Sequence, residues 1–465
     1  MTKLAITPLA LAASLMLAGC ATLVPPMPAP QAGIPSQLPA AGTVENVSVD
    51  TGWRDFFIDP RLQQVVALAV DNNRDLRMAL ANVERARAQH RIQQAERVPA
   101  LGASGSLERV GGDVPVSDTY TAGVGLAAFE LDLFGRVRNL SEAALQQFFA
   151  QEQNRRAAQV ALVAETANLW LAVAADRERL AIADATQTTY DEALRLAERR
   201  HEIGVISGLE LEQARSQAQA ARADAAQFRG HVAQDINALN LLAGTTVDPA
   251  LLPATLTEQP TLVATLPAGI DSGVLLQRPD VLAAEHGLAA ANANIGAARA
   301  AFFPRITLTG SAGSSSAELS DLFSAGTRIW RFMPSISIPI FQGGRRRAGL
   351  GMAEADRDVA LAGYEKAIQV GFREVADALV LAGTLDEQRQ AREALLQSAT
   401  RAEALSKARY DAGRDSYLQR LDAQRTLYAA QQGVLLVRQQ LLGNRIALYR
   451  ALGGGWREHG AAGQP

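Results

Sequence analysis

The chain repeats itself, and a repeat fixes the plan of a fold before any single element is assigned. Asp75, Ala86, Ala88, Ala95, Pro99, Gly105 and Ser106 recur as Asp280, Ala291, Ala293, Ala300, Pro304, Gly310 and Ser311, each pair 205 positions apart. Phe134 matches Phe341 at a separation of 207. Ala193, Leu196, Arg200, Gly204, Leu209, Ala214, Ala220, Ala238, Leu239 and Gly244 match Ala402, Leu405, Arg409, Gly413, Leu418, Ala423, Ala429, Ala447, Leu448 and Gly453 at 209. Alanine matches come cheaply in an Ala-rich chain. The Pro, Phe and Gly matches carry more weight, because Pro and Gly set backbone geometry at element boundaries. Repeat 1 is read over about 51–260 and repeat 2 over about 261–454, with a flexible C-terminal tail over 455–465.

Each half follows one plan. A helix of moderate length opens it, about 74–97 and about 279–302, and Pro99 or Pro304 ends that helix. Two short alternating segments follow. From Arg305 to Ala312 the even positions are apolar or small and the odd ones mostly polar, the period-two pattern of a strand with one greasy and one wet face. The spacing predicts β-hairpins over about 101–133 and about 305–341. Long helical hairpins come next, about 137–243 and about 345–452. Their first arms contain no proline, and Ala157, Val160, Ala164, Ala167, Leu171 and Ala174 recur at three- and four-residue steps, as do Ile368, Phe372, Val375, Leu379 and Ala382. That is coiled-coil spacing. Each such arm is on the order of 100 Å long at 1.5 Å per residue. Gly204 and Gly413 stand at the bends, where a helix C-cap is expected.

Four strands cannot close a barrel, for which about eight is the practical minimum. Open edges in lipid would leave backbone groups unpaired at several kcal/mol each. The strands are therefore either outside a membrane or shared between copies of the chain. They are about as long as a spanning strand. They pass into helix within a few residues, at Phe134-Gly135 and from Phe341 through Gly343-Gly344. No later stretch is expected to form a transmembrane helix. The predicted class is a mixed membrane protein, mainly α, with two repeats of β-hairpin plus long helical hairpin.

The N-terminus points to export. Lys3 precedes an apolar run, and Leu17-Ala18-Gly19-Cys20 follows. A positive start, a short apolar core and small residues at a cleavage point describe a secretory signal. The ending resembles a bacterial lipobox, which implies removal of residues 1–19 and acylation of Cys20, with Ala21 favouring the outer membrane. Buried acyl chains contribute roughly 0.8 kcal/mol per CH₂, so two or more anchor durably. The rest of 20–50 is rich in Pro, Ala and Gly and reads as an extended tether. Cys20 is the single cysteine, which excludes an intrachain disulfide.

Three segments resemble the TolC/OprM-like outer-membrane factors, especially their lipoprotein branch. Phe129-Glu130-Leu131-Asp132-Leu133-Phe134-Gly135-Arg136 is similar to the family's strand-to-helix signature, with Phe129 where Trp is usual. Ala301 to Ile306 is similar to its helix-to-strand entry. Tyr410-Asp411-Ala412-Gly413-Arg414, with Tyr417-Leu418 and Leu421 to Arg425, resembles its second hairpin tip. The resemblance implies a homotrimer, a twelve-stranded barrel continuous with a twelve-helix periplasmic tunnel, and docking to a periplasmic adaptor and an inner-membrane efflux transporter. It implies a periplasmic gate at Asp422, Leu418, Tyr410 and Glu210, with Arg425 a candidate partner of Asp422. Rings of carboxylates repel one another, so closure needs cations or protons. Asp415 departs from the basic residue some relatives carry there.

A net charge of −3 gives no basic excess for nucleic acid. The five histidines stand at no metal-ligand spacing, and neither a nucleophile elbow nor a phosphate-binding loop is present. Neither a cofactor nor catalysis is expected. Arg345-Arg346-Arg347 after Gly343-Gly344 reads as a strand-to-helix turn whose cations can meet lipid headgroups. The expected function is passive efflux of drugs or other small toxic solutes. Metal-ion or protein export, or a coiled-coil envelope scaffold without a pore, are the alternatives.

Overall fold

The structure is a computed structural model that describes residues 22–38, 51–256 and 272–459; the signal segment and Cys20 lie outside these. The elements are α1 (Trp53–Phe56), α2 (Pro60–Asn72), α3 (Arg74–Ala95), β1 (Leu101–Val110), β2 (Ser117–Glu130), α4 (Arg136–Glu202), α5 (Gly208–Ala243), α6 (Pro279–Ala300), β3 (Arg305–Ser316), β4 (Arg328–Ser337), α7 (Arg345–Asp411) and α8 (Tyr417–Ala451). The order of α3 to α5 is repeated by α6 to α8. The described residues divide into a strand unit of 22–31, 81–153 and 282–367 and a helical unit of the rest.

In the strand unit the four strands form one antiparallel sheet in the order β1-β2-β3-β4. Register gathers most of the large apolar side chains on one face. Leu101 opposes Leu126, Ala103 opposes Val124 and Leu107 opposes Tyr120. Val124 in turn opposes Ala312, which opposes Trp330, and Ile306 opposes Ile336. These pairs share a face, so an apolar surface crosses all four strands. The opposite face carries Ser104, Ser106, Thr121, Thr307, Thr309 and Ser311, with the Ser106 and Thr121 hydroxyls 2.7 Å apart. Gly123 and Gly313 face each other across β2 and β3. A Cβ on Gly123 would stand 2.7 Å from the Ala312 carbonyl oxygen, so side chains are excluded there.

The sequence pattern alone did not provide for one feature of this sheet. Between Leu126 and Phe129 the register shifts by one residue, and Ala128 adopts a φ of 45°, in the left-handed region. This is a β-bulge. It moves Phe129 onto the apolar face, opposite Leu308, although even-numbered residues hold that face earlier in β2. One bulge thereby keeps two out-of-phase apolar series on one side. β2 ends at Glu130 and β4 at Ser337, a few residues before the expected hairpin limits.

In the helical unit the largest core packs α1 and α2 against α4, α5 and α8. Phe56, Phe57, Leu62, Val65, Val66, Ala167, Leu171, Leu239 and Ile446 are wholly or nearly buried there. The Phe56 ring stacks on Tyr449 at 4.0 Å. One 18-residue window of α4 is apolar enough to cross a membrane by length and composition, yet 61% of it is buried within the protein. Packing against this core accounts for its apolarity.

The C-terminus departs from expectation. Residues 455–459 are not a loose tail. Trp53 N donates to the Arg457 carbonyl at 3.0 Å and Arg54 N to that of Glu458 at 3.1 Å. The Arg54 guanidinium pairs with the Glu458 carboxylate at 2.5 Å, and Arg156 lies 4.6 Å over the Trp456 ring. Trp456 and Glu458 gave no periodic signal, so their anchorage was invisible in the sequence. The described part of the N-terminal segment is extended and pinned. Arg299 donates to the Leu23 carbonyl at 3.3 Å and Asn292 to that of Pro25 at 2.8 Å.

Candidate functional site

The two helical hairpins turn by the same device. Gly204 N donates to the His201 carbonyl at 2.9 Å and Val205 N to that of Arg200 at 2.8 Å; Gly413 N and Arg414 N repeat this toward Tyr410 and Arg409, both at 2.9 Å. Gly204 and Gly413 have φ of 74° and 68°, the left-handed conformation that ends a helix. Ser207 caps α5 through Glu210 N. Ser416 caps α8 with a full capping box in which Gln419 answers.

The tips pack together through Tyr190, Ala218, Ala221 and Leu421 and through Ala197, Leu211 and Ala214, with Tyr417 beside both clusters. The Tyr410 hydroxyl accepts a hydrogen bond from Arg200 Nη1 at 2.7 Å. Arg200 and Arg420 stand 5.7 and 5.1 Å over its ring. Glu210 lines the same small cleft, with Arg200, Tyr410, Tyr417 and Arg420, but makes no hydrogen bond to Tyr410. Arg200 is the tyrosine's partner, a contact across 210 positions that sequence spacing does not reveal.

Asp415 is held by Arg409 of its own hairpin through two hydrogen bonds of 2.8 Å. Those bonds keep its carboxyl below the usual carboxylate range. The acidic residue at this position is thus accommodated inside one tip. Leu418 is 58% exposed, and Asp422 and Arg425 are exposed on the same helix face. No ion pair joins Asp422 to Arg425. At a spacing of three residues in open solvent such a pair is worth about 0–1 kcal/mol, too little to order both side chains. The opposite face of α8 buries Leu421 and Gln424, and the Gln424 Oε1 has no partner. Tyr428 donates to Asp224 at 3.0 Å.

The strand-to-helix junctions differ. Phe134 stacks on Phe303 at 4.7 Å, Gly135 takes a φ of 76°, and Arg136 grips Glu130 at 2.9 and 2.7 Å. In repeat 2, Gly343 and Gly344 make the turn with φ of 55° and 83°, while Phe341 is 88% exposed. Among the described residues no group of three or more His, Cys, Asp or Glu could hold a metal ion.

The family described as outer membrane efflux protein matches residues 65–245 and 272–454, one stretch in each half. The chain belongs to the outer membrane efflux protein family. It is 43% identical over 464 residues to the antibiotic efflux pump outer membrane protein ArpC of Pseudomonas putida, covering 97% of this chain and 96% of the relative. It is 43% identical over 428 residues to the outer membrane protein OprJ of Pseudomonas aeruginosa, covering 90% and 89%. Among solved structures, the open state of the Neisseria gonorrhoeae MtrE outer membrane channel aligns with a TM-score of 0.87 at 38% identity, covering 94% of this chain and 99% of that one. CusC aligns with a TM-score of 0.84 at 40% identity, covering 94% and 100%. This outer membrane efflux protein therefore has the fold of those channels.

Proposed function

We propose that three copies of this chain form the outer-membrane duct of an efflux pump, passively conducting small toxic organic solutes. The sheet carries the reading. Its apolar face crosses all four strands, and both edge strands, β1 and β4, lie exposed along their whole length. A surface of that kind suits lipid, and lipid does not tolerate open edges. Three copies of four strands would close a barrel whose wet face lines the lumen. The relative named for antibiotic efflux supports organic solutes as cargo. A periplasmic adaptor and an inner-membrane transporter would complete the pump and select the solute. The closed end is assigned to the tips, where exposed Leu418 and Asp422 of three copies would meet around an axis.

Acylation of Cys20 would tether the chain to the same membrane. Leu23, three positions later, is bonded to Arg299, six residues before β3 begins. Three extended residues reach about 10 Å, so the acyl chains would enter lipid at the helix end of the strands.

The test is purification of the full chain in detergent and its addition to planar bilayers. Heat-resistant trimers and discrete conductance steps are expected. A monomer that never conducts would rule the duct out.

A further inference from the structure

The apolar strand face of the efflux protein ends, at the side where the strands meet the helices, in a band of arginines without enough carboxylates. The two halves differ in carboxylates at this junction. In repeat 1 the junction reads Glu130-Leu131-Asp132-Leu133-Phe134; in repeat 2 the same positions read Ser337-Ile338-Pro339-Ile340-Phe341. Glu130 neutralises Arg136 and also reaches Arg305 at 2.5 Å. Asp132 caps α4 by accepting from Arg138 N at 2.7 Å. Both carboxylates are missing from repeat 2, yet α7 opens with Arg345, Arg346 and Arg347. Among the described residues none of the three has a carboxylate partner; Arg346 reaches only the Gln342 side-chain oxygen, at 3.0 Å. Three cations in the first turn also oppose the positive end of the helix dipole. Local conflict of this sort is expected where an outside group relieves it.

The neighbourhood indicates which group. Ile336, Ile338, Ile340 and Phe341 lead up to the arginines and are 61%, 60%, 95% and 88% exposed. Arg346 and Arg305 line a cleft of about 210 Å³ with Arg136, Glu130, Asp132 and Phe303. An exposed apolar strip running directly into unpaired guanidinium groups matches the boundary between acyl chains and headgroups. Guanidinium forks also fit phosphate oxygens in pairs.

We infer that Arg345, Arg346 and Arg347 form a binding surface for the phosphodiester headgroup of an anionic phospholipid at the periplasmic rim of the barrel. The inference rests on the barrel reading of the sheet. The bound lipid would supply the negative charge that Glu130 and Asp132 supply in the first half, and would hold the second junction at a fixed depth.

The experiment uses the full chain and a variant carrying Arg345→Gln, Arg346→Gln and Arg347→Gln. Both are reconstituted in phosphatidylcholine vesicles with or without phosphatidylglycerol, re-extracted in mild detergent, and their retained lipid is measured by mass spectrometry. The wild type should enrich phosphatidylglycerol over phosphatidylcholine. The variant should lose that enrichment by roughly fivefold per arginine at low salt, and a triple Arg→Lys variant should keep much of it. Conductance should be the same in all three. Equal enrichment in wild type and Gln variant would overturn the inference. So would competition by millimolar inorganic phosphate, which would make the site one for soluble anions. A variant whose trimer dissociates at lower temperature even without phosphatidylglycerol would assign the arginines to a second copy of the chain. Failure of the wild type to conduct would count against the duct and not against this surface.

Discussion

The two halves of the protein keep one backbone and diverge in charge. The clearest case lies at the start of α3 and α6. Asn73 donates from its side chain to the Leu242 carbonyl at 3.0 Å, and Arg278 donates to the Ala451 carbonyl at 2.6 Å. Leu242 and Ala451 are themselves 209 positions apart, so each residue ties its own helix start to the end of its own returning helix. The first half makes the tie with a neutral amide. The second makes it with a buried cation that also binds Asp280 at 3.0 and 2.7 Å and Glu374 at 2.9 Å. Burial works against the charge on Arg278, but those carboxylates outweigh it and raise its pKa. A repeat thus preserves a contact while changing what its loss would expose.

That difference sets the largest expected effect. Arg278→Ala leaves Asp280 without its cation and Glu374 with only Arg450, at 3.8 Å, and breaking such a partly buried network costs about 3 kcal/mol, the low end for buried pairs. Asn73→Ala leaves one carbonyl and one N–H unpaired, at about 1–3 kcal/mol. Urea unfolding followed by circular dichroism should rank them in that order. Equal losses would mean that the charged tie is no stronger a constraint than the neutral one.

The junction phenylalanines come next. Phe134 is half-buried against Phe303, whereas Phe341 is almost wholly exposed. Phe134→Ala should destabilise the protein in detergent by roughly 2 kcal/mol, through lost burial and stacking. Phe341→Ala should fall within about 0.5 kcal/mol. Thermal unfolding of both variants in one detergent checks the contrast. A large loss at Phe341 would place that ring in a contact between copies.

A pH test turns one half into the other. Asp235 on α5 matches Asn444 on α8, 209 positions on. Asn444 donates to the Ala378 carbonyl at 2.9 Å. Asp235 instead faces Asp176, with His231 and Arg179 near the pair, and its Oδ2 has no partner. Burial, and then the charge of Asp176, pushes Asp235 up to about 6. A carboxyl raised in the folded state binds its proton there more tightly than in the unfolded chain. Its contribution is therefore favourable below about pH 4 and lost as pH rises through about 6. Asp235→Asn should raise the unfolding temperature at pH 7.5 and change it little at pH 4. An equal gain at both pH values would show that the charge is not what Asp235 costs.

Local patterns were legible in the sequence, and long-range contacts were not. The long helices were legible because periodic small residues run without proline to a glycine, and Gly204 and Gly413 end them as such glycines do. The alternation in β3 was legible for the same reason: it needs only neighbours. The bulge at Ala128 was hidden because alanine carries no turn signature. The bonds from Arg200 to Tyr410 and from Arg278 to Ala451 were hidden because they join residues 210 and 173 positions apart. The candidate gate residues were named by resemblance to a family. The exposure of Leu418, Asp422 and Arg425 on one face of α8 required the helix packing, which decided that Leu421 points inward and Leu418 outward.

The smallest change in free energy tests the division of labour between the tips. Tyr410→Phe removes only the hydroxyl that accepts from Arg200, worth about 0.5–1.5 kcal/mol. The ring remains for Arg200 and Arg420 to lie over. Asp422→Ala removes an exposed charge and should leave the stability of a single chain nearly unchanged. If the second tip carries the gate, the pair Tyr410→Phe and Asp422→Ala raises the closed-state conductance in planar bilayers several-fold. The matching positions in the first tip are His201 and Gln213, and His201→Phe with Gln213→Ala should leave conductance as it was. An equal rise from both pairs would make the tips equivalent latches, and no rise from either would remove the gate from this end of the hairpins. The outcome turns on charge: three exposed Asp422 carboxylates brought to one axis would repel unless met by cations, and Gln213 offers the first tip no such ring.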